Sequence, residues 1–285
     1  MAWSALRPWE RYLAKVHATA LRYPEARFVL ESAAALRGLP VIGEPADVHV
    51  VDEPLATSRA VSGVRVHTAQ ALPDIREVGG LLVAAPEEIA VDMARLRHHA
   101  IGLAVAGMVM RQHPEIDPAA LRELNRIRRS SRGRRHARWV IERATGEAES
   151  TLELVSLAAI EWLGFPEPEL QKWILGPDAG RDDRLDFWWE ATRTGGEADG
   201  DSKYDGQDAA AMLRTRRDRD ARLLDRGVSA TAHWGWTDVS RVTPLRAALL
   251  AAGLKPERPE DTAELRSLTR VLRSTSNPTG TARLQ

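Results

Sequence analysis

Hydrophobic positions in the first half of the chain switch between helical and strand-like spacing. Apolar residues at Leu6, Trp9, Leu13 and Val16 recur at helical spacing and predict a helix over residues 1–20. Further helices and short β-like runs follow in the order FVLESAAALRGLP (helix, 28–40), VHVV (48–51), VRVH (64–67), GLLVAA (80–85), PEEIAVDMARL (helix, 86–96), a helix over 98–112 and a helix opening at Asp117 and Pro118. This alternation predicts a mixed α/β unit that ends near residue 130.

The second half of the chain predicts one mixed sheet with helices packed on it. The elements follow in the order helix 147–163, strand 170–175, strand 184–191, strand 194–200, helix 207–226, strand 228–234 and helix 243–252. Three strands that follow one another closely, with helices before and after them, are typical of a mixed sheet covered by helices. The predicted fold class is therefore α/β, with an N-terminal mixed α/β unit and a C-terminal mixed sheet flanked by helices.

Domain boundaries are predicted from local composition. The run RRSSRGRRHARW at 128–139 places Ser-Ser and Gly inside strong positive charge and is the best linker candidate. One more helix is predicted at 261–273, and the chain ends in the polar segment STSNPTGTARLQ, which we expect to be loose. The predicted organisation is a first region at 1–130, a second domain at 135–255 and a helical or flexible tail at 256–285.

Composition places the chain among ordinary globular proteins. It has 285 residues, of which 44% are hydrophobic and 28% are charged, and it contains no cysteine, which excludes disulfides and thiolate metal sites. No apolar run reaches membrane-spanning length, and the N-terminus lacks the apolar core of a signal peptide. We expect a cytoplasmic protein without a membrane partner.

Charge is balanced over the whole chain but not along it. The 40 basic and 40 acidic residues give a formal net charge of zero. Nine arginines lie between Arg122 and Arg143, against only Glu123 and Glu142, whereas acids dominate from 147 to 208. A basic stretch beside an acidic cluster suits a nuclease, in which one part holds phosphate and the other holds metal. The alternative is a solvated helix face next to a solvated loop.

The acidic cluster follows the alternation of two adjacent strands. If the hairpin turns between Ala191 and Thr192, residues whose numbers sum to 383 lie opposite one another, so that Asp186 faces Glu197. Because side chains alternate across a strand, Asp199 shares the face of Glu197. The opposite face is predicted to be core, through Leu185, Phe187 and Trp189.

Three carboxylates on one face predict a divalent-ion site. Like charges opposite one another destabilise a sheet unless a cation neutralises them. Oxygen ligands without His or Cys favour Mg²⁺ or Mn²⁺ over zinc, and such an ion can activate water for attack on phosphorus. The alternative interpretation is a solvated acidic hairpin with no ion.

Three further residues are candidates for the same site. Glu149 and Glu153 share a helix face, and we prefer Glu153 as a metal ligand because it lies deeper in the helix, while Glu149 could serve only the helix N-terminus. Lys203 lies four residues beyond Asp199 and could reach back to a phosphate or a water molecule. As a lone lysine it could equally be a surface residue.

The helix at 207–226 alternates arginines with aspartates. It could line a DNA channel, but an outer helix bridged by its own ion pairs is the simpler interpretation. His233 could contact DNA or be a structural histidine with satisfied hydrogen bonds. Trp188, on the acidic face, could stack on a base or sugar.

These residues carry a family resemblance. The strings GEAESTLELVSLAAIEWLGFPEPELQ, RLDFWWEA, GGEADGDSKY and LRTRRDRDARLLDRGVSATAHWGW resemble actinobacterial proteins whose C-terminal domain is similar to the very-short-patch-repair branch of the PD-(D/E)xK, restriction-endonuclease-like fold. The resemblance covers about 110 residues. The matching motif positions are Glu149, Ser150 and Glu153, then Arg184, Asp186 and Phe187, then Glu197, Asp199, Gly200, Lys203 and Tyr204. The nuclease pattern places lysine where this chain has Asp199, and the resemblance assigns that role to Lys203.

The N-terminal part resembles the same proteins. ESAAALRGLPVIG and VHVV are similar to a segment of AbiEi-type abortive-infection antitoxins. Many relatives carry a winged helix-turn-helix ahead of this segment, and this chain is expected to lack it, so sequence-specific DNA reading by such a module is not expected.

The resemblance implies a magnesium-dependent DNA endonuclease, with phage defence as the expected context. Asp186, Glu197 and Glu153 would bind the metal, with Asp199 and Lys203 completing the catalytic set. The residues expected to hold the DNA backbone are Arg132, Arg134, Arg135, Arg214 and Arg217. The alternative is a non-catalytic, antitoxin-like or regulatory protein that binds DNA or a toxin partner. A homodimer is possible in either case, and the sequence does not separate DNA from RNA.

Overall fold

The structure is a computed structural model that describes residues 3–52, 58–68, 72–176, 182–199 and 207–275, without side chains at 207–213 and 274–275. The chain divides into two units. Unit 1 runs to Gly146 and resumes at Arg270, and unit 2 comprises Glu147–Thr269. The boundary between the units therefore falls after the arginine-rich segment at 128–139 and not within it. The helix that begins in this segment belongs to unit 1.

Unit 1 contains a six-stranded mixed sheet, six α-helices and a short 3-10 helix (Trp3–Ala5) among its described residues up to Gly146. Its elements are α1 (Pro8–Arg22), β1 (Arg27–Phe28), α2 (Leu30–Leu36), β2 (Val48–Asp52), β3 (Arg59–Val61), β4 (Val64–Thr68), β5 (Ile75–Val78), β6 (Leu81–Ala84), α3 (Pro86–Leu96), α4 (His99–Gln112), α5 (Pro118–Ile127) and α6 (Arg134–Arg143). The strand order is β3-β4-β2-β1-β6-β5, with β2 parallel to β4 and β1 parallel to β6. The predicted mixed α/β character of this part is confirmed.

The strands that sequence reasoning missed in unit 1 are short. β1 has two residues, and the edge strands β3 and β5 have three and four. Edge strands expose one or both faces to solvent, so they carry little of the apolar alternation that marks a buried strand. By contrast, β2 is buried over Val48–Val51, and Val48 and Val50 pack with Tyr12, Val16 and Phe28 in one core.

Unit 2 has a four-stranded mixed sheet. Its elements are α7 (Thr151–Trp162), β7 (Glu169–Ile174), β8 (Asp183–Trp189), β9 (Thr194–Ala198), α8 (Gln207–Asp225), β10 (Ala230–Trp234), α9 (Trp236–Arg241), α10 (Thr243–Ala251) and α11 (Thr262–Thr275), the last of which extends past Thr269. The order is β10-β9-β8-β7, with β9 parallel to β10 and the other pairs antiparallel. The predicted order of elements is confirmed, and the short α9 is an addition.

The core of unit 2 is aromatic. Phe187 and Trp189 of β8 are buried as predicted, and the Phe187 ring lies 5.1 Å from that of Trp234 on β10. The Trp234 indole N–H donates to the Ser156 hydroxyl of α7 at 2.8 Å, which satisfies its polar group in the core. Helix α7 and the sheet are thereby fixed to one another beside the acidic residues.

The glycine pair of β9 makes room for these rings. A Cβ at Gly196 would lie 2.7 Å from the Trp234 ring and 3.0 Å from the Phe187 Cβ. A Cβ at Gly195 would meet only the methyl groups of Leu185, at 3.0 Å. Gly196 therefore leaves the space that the aromatic rings occupy, and both glycines lie within β9.

We expect Gly196→Ala to lower the free energy of unfolding by about 1–3 kcal/mol, because the indole above it cannot move without disturbing the core. Gly195→Ala is the matched control, since the leucine methyl groups that it meets can rotate away. Urea denaturation of both variants measures the difference. A loss for Gly195→Ala equal to or larger than that for Gly196→Ala would contradict this account.

No helix in the described ranges combines the length and apolar character that crossing a bilayer would need.

Candidate functional site

The hairpin of β8 and β9 has the predicted register. Phe187 pairs with Gly196 and Trp189 with Thr194, so paired residue numbers sum to 383. The turn is a short 3-10 segment, Glu190–Thr192, followed by Arg193 in the left-handed conformation. Continuing the same register places Asp186 across from Glu197.

Asp186 is half-buried and has an elevated pKa. Its Oδ2 accepts a hydrogen bond from the Ala198 amide of the neighbouring strand at 2.9 Å. Burial raises the pKa of Asp186 to about 6; the Ala198 hydrogen bond and the Arg219 charge oppose this, and the negative charges of Glu153 and Asp199 add to it. The repulsions show that these carboxylates act on one another, as the predicted clustering requires.

Glu197 is more deeply buried, with 5% of its surface exposed. Burial, followed by repulsion from Asp186, raises its pKa to about 8, although Arg219 acts in the opposite direction. Glu197 therefore holds a proton at neutral pH. The charge of its carboxyl group depends on the charged groups placed beside it.

Arg219 of α8 is the cation beside Glu197. Its Nη1 donates to Glu197 Oε2 at 3.0 Å, and its Nη2 donates to the Arg184 carbonyl oxygen. Nη2 also lies 2.8 Å from Glu197 Oε1, but this ion-pair contact lacks hydrogen-bond geometry. Glu197 Oε1 is consequently buried and accepts no hydrogen bond from the described residues.

Asp199 is directed to a histidine. Its Oδ2 lies 3.0 Å from His233 Nδ1 and 3.6 Å from Arg216 Nη1. Burial opposes ionisation, but the hydrogen bond and charge of His233, with the charges of Arg216 and Arg219, outweigh it and lower the pKa of Asp199. The other ring nitrogen of His233 lies 3.1 Å from Asp220. The interpretation of His233 as a histidine with satisfied hydrogen bonds is confirmed.

Glu153 is placed toward the cluster by the start of α7. Ser150 caps the helix by accepting from the Glu153 amide at 3.1 Å, and Glu153 Oε2 accepts from the Glu149 amide at 2.8 Å. Glu149 instead pairs with Arg184, whose guanidinium also lies over the Trp173 ring. Of the two glutamates, Glu153 is the one whose charge reaches Asp186, as preferred from the sequence.

Gln171 of β7 is a site residue that sequence reasoning missed. The β7–β8 register places it across from Asp186, between the pairs Leu170–Phe187 and Lys172–Leu185. Its Nε2 donates to Glu153 Oε2 at 2.8 Å, and its Oε1 is buried without a hydrogen bond from the described residues. Its backbone lies in the left-handed region, with φ 53°. That conformation is costly for a residue with a side chain and recurs at functional sites. No pattern in the sequence predicts this backbone conformation at Gln171.

Asp183 is the second missed residue. It is buried at the start of β8 and lies 2.9 Å from Arg222, 2.8 Å from Arg226 and 3.6 Å from Arg219. The alternation of charges along α8 therefore reflects ion pairs with the sheet. Arg214 and Arg217, predicted to contact DNA, are exposed.

The remaining predicted residues are distributed as follows. Lys203 lies outside the described residues, as do Gly200 and Tyr204. Arg132 and Arg135 are exposed, while Arg134 donates to the Arg128 carbonyl at 2.7 Å and so supports the turn before α6.

The suggestion that Trp188 stacks on a base or sugar is wrong for this arrangement. Trp188 is buried in a cluster with Leu185, Leu223 and Val228, and its indole N–H donates to Glu190 at 2.7 Å. A side chain enclosed on these sides does not offer a free ring face to a nucleotide.

Within the described ranges, no three acidic, histidine or cysteine side chains form a group arranged to hold a metal ion. The arrangement is instead a pair of facing carboxyl groups on adjacent strands, with Glu153 and Gln171 on one side and Arg219 on the other. Such a pair can exchange protons near neutral pH and can bind a cation once both members are ionised.

Fold and site together define an α/β protein with interacting carboxyl groups on the central strands of a four-stranded mixed sheet. The chain is 32% identical over 202 residues to the uncharacterized proteins MT2308 and Rv2248, from the CDC 1551 and H37Rv strains of Mycobacterium tuberculosis, with 70% of this chain and 70% of each relative covered. The chain belongs to the same protein family as these mycobacterial proteins. No family model matches it, and no solved structure does.

We expect Glu197→Gln to be more stable than the wild type above about pH 8, with the difference fading below about pH 5. The folded wild type keeps a proton on this carboxyl, whereas the unfolded chain releases it near the ordinary pKa of about 4.3. The wild type therefore loses stability as the pH rises from that value to about 8.

Urea midpoints measured across this pH range test the expectation. Glu167→Gln, which removes an exposed carboxylate of the same unit, is the control and should show no such pH dependence. A stability difference between Glu197→Gln and the wild type that does not change with pH would refute the proton assignment.

Proposed function

We propose that unit 2 is a restriction-endonuclease-like domain that hydrolyses phosphodiester bonds in DNA with Mg²⁺ or Mn²⁺. The observation that carries this proposal is the interaction of two carboxyl groups on adjacent strands, Asp186 and Glu197, whose pKa values are raised to about 6 and 8. Strongly perturbed carboxyl groups that interact with one another are frequent at catalytic sites.

The oxygen atoms around this pair fit a hard divalent ion. Glu197 Oε1 and Gln171 Oε1 are buried and accept no hydrogen bond from the described residues. Mg²⁺ commonly binds through one or two carboxylates together with water and substrate phosphate. Asp186 and Glu197 would hold the ion, with Glu153 beside them, and the bound ion would polarise a phosphoryl oxygen and acidify water.

The other charged groups have distinct tasks in this proposal. Arg219 lies beside Glu197 and, once that carboxyl group ionises, would balance its charge together with the ion. Asp199 is held by His233 and contributes negative charge to the pair. Arg214 and Arg217, both exposed on α8, would contact the phosphate backbone, and Lys203 keeps its proposed role toward phosphate or water.

A non-catalytic role is the second candidate. Arg219 already occupies the position of a cation beside Glu197, which suits a domain that keeps the fold for binding. In this alternative the protein binds DNA or a toxin partner as an antitoxin-like or regulatory factor. DNA cleavage and metal binding distinguish the two candidates.

We expect the wild type to cut supercoiled plasmid in Mn²⁺ or Mg²⁺ and Asp186→Asn and Glu197→Gln to lose at least about a hundredfold in rate, because each removes one charge that would hold the ion. Glu167→Gln is the control for a lost surface carboxylate. Gel-resolved cleavage time courses measure the rates, and EDTA should stop the wild type. Equal cutting by all four proteins would overturn the site assignment.

Metal binding should depend on pH. Because both carboxyl groups must ionise to hold the ion, Mn²⁺ should bind more tightly near pH 8.5 than near pH 6 and release protons on binding. Calorimetry in two buffers of different protonation enthalpy measures the released protons. Absence of Mn²⁺ binding at both pH values would favour the non-catalytic alternative.

A further inference from the structure

A second polar site lies in unit 1 and does not depend on the proposed nuclease function. Arg97 donates two hydrogen bonds to the buried Glu31, one of them at 2.7 Å. His49 Nε2 lies 3.5 Å from the same carboxylate, and His49 Nδ1 lies 2.9 Å from His67 Nε2. The four side chains form a chain of contacts from the core to the end of β4.

The protonation states of these groups determine which atom donates in each hydrogen bond. Burial opposes ionisation of Glu31, but Arg97 and His49 outweigh it and lower its pKa, so Glu31 is an anion. Burial lowers the pKa of His49, and burial with the neighbouring charges lowers that of His67 to about 4, so both rings are neutral at pH 7. His49 therefore directs Nε2–H to Glu31 and accepts at Nδ1 from His67 Nε2–H. His67 Nδ1 remains a lone-pair acceptor.

His67 lines a cavity of about 840 Å³ in unit 1. This volume lies within the usual range for small-molecule sites. The wall includes apolar side chains, and the remainder is formed mainly by hydroxyl and charged groups. The polar part of the wall includes His67, Thr68, Arg128, Arg129, Ser130 and Arg132.

The loop between α5 and α6, residues 128–133, is held in place on one side of this cavity. Arg95 Nε donates to the Arg132 carbonyl at 3.0 Å, and Arg95 Nη2 donates to the Ser130 carbonyl. Gly133 has φ 71°, and a Cβ there would overlap the Arg95 carbonyl oxygen. The segment that the sequence analysis interpreted as a linker is thus a fixed wall within unit 1.

The charges around the cavity favour an anion. Four arginines line it, against the two carboxylates Glu88 and Asp92, and Arg128 is paired with both of these. Arg129 and Arg132 are exposed and make no ion pair with any described residue. Two cations and nearby hydroxyl groups are thus left to bind a ligand.

We propose that this cavity binds a phosphate monoester, either a free mononucleotide or the phosphorylated end of a nucleic acid strand. Arg129 and Arg132 bind the phosphate, and His67 Nδ1 accepts a hydrogen bond from a hydroxyl or amino group of the ligand. Guanidinium groups suit phosphate through paired, charge-assisted hydrogen bonds. The apolar part of the wall accommodates the nucleoside.

Calorimetry with inorganic phosphate, AMP, dAMP and an oligonucleotide with or without a 5′-phosphate tests the proposal. We expect the phosphorylated ligands to bind and Arg129→Ala/Arg132→Ala to weaken binding at least about tenfold. Arg22→Ala, which removes an exposed arginine of α1 that does not line the cavity, is the matched control. Tighter binding of the 5′-phosphorylated oligonucleotide than of AMP identifies a strand end as the source, and the reverse identifies a nucleotide.

Imidazole ¹⁵N spectra provide a readout of His67 that does not depend on a variant folding. Bound nucleotide should shift the unprotonated Nδ1 resonance of His67, whereas inorganic phosphate should leave it nearly unchanged. Asp186→Asn should bind nucleotide as the wild type does, which separates this site from the nuclease proposal. Absence of binding by every phosphorylated ligand, or equal binding by the double arginine variant, would overturn the proposal.

Discussion

The contact between the Arg219 guanidinium and the Glu197 carboxyl group, enclosed between α8 and the sheet, sets the chemistry of unit 2. A buried carboxylate is costly unless a cation stands beside it, and here a neighbouring carboxyl group, Asp186, raises the cost further. The same guanidinium also reaches Asp183 at 3.6 Å and the Arg184 carbonyl. One side chain therefore contacts three acceptors. The pKa values of Asp186 and Glu197 depend on where this guanidinium lies.

The aromatic core and the acidic pair have the same origin in strand geometry. Alternation along β8 sends Phe187 and Trp189 into the core, and the pairing of β8 with β9 brings Glu197 close enough to Asp186 for the two carboxyl groups to repel one another. A slip by one residue would move Gly196 from under the Trp234 ring and break both arrangements. Packing of apolar rings thus holds the polar groups in register.

Strand alternation predicted the register of the β8–β9 hairpin, because the hairpin connection is short and the register follows from it. The contributions of Asp183 and Arg219 could not be predicted, since they depend on which side of α8 meets the sheet. Gln171 was missed because a left-handed backbone in a strand leaves no mark in the pattern of apolar residues. The arginine-rich loop resembles a linker in composition, whereas its hydrogen bond with Arg95 holds it in unit 1, and this tertiary contact leaves no mark in the sequence.

The parallel pairing of β9 and β10 requires the chain to cross over between them, and α8 lies in that crossover. The helix that carries Arg219 is therefore also part of the connection between β9 and β10. Displacement of α8 from the sheet would remove the Arg219 charge, which lowers the pKa of both Asp186 and Glu197, and would thereby raise the pKa of both carboxyl groups.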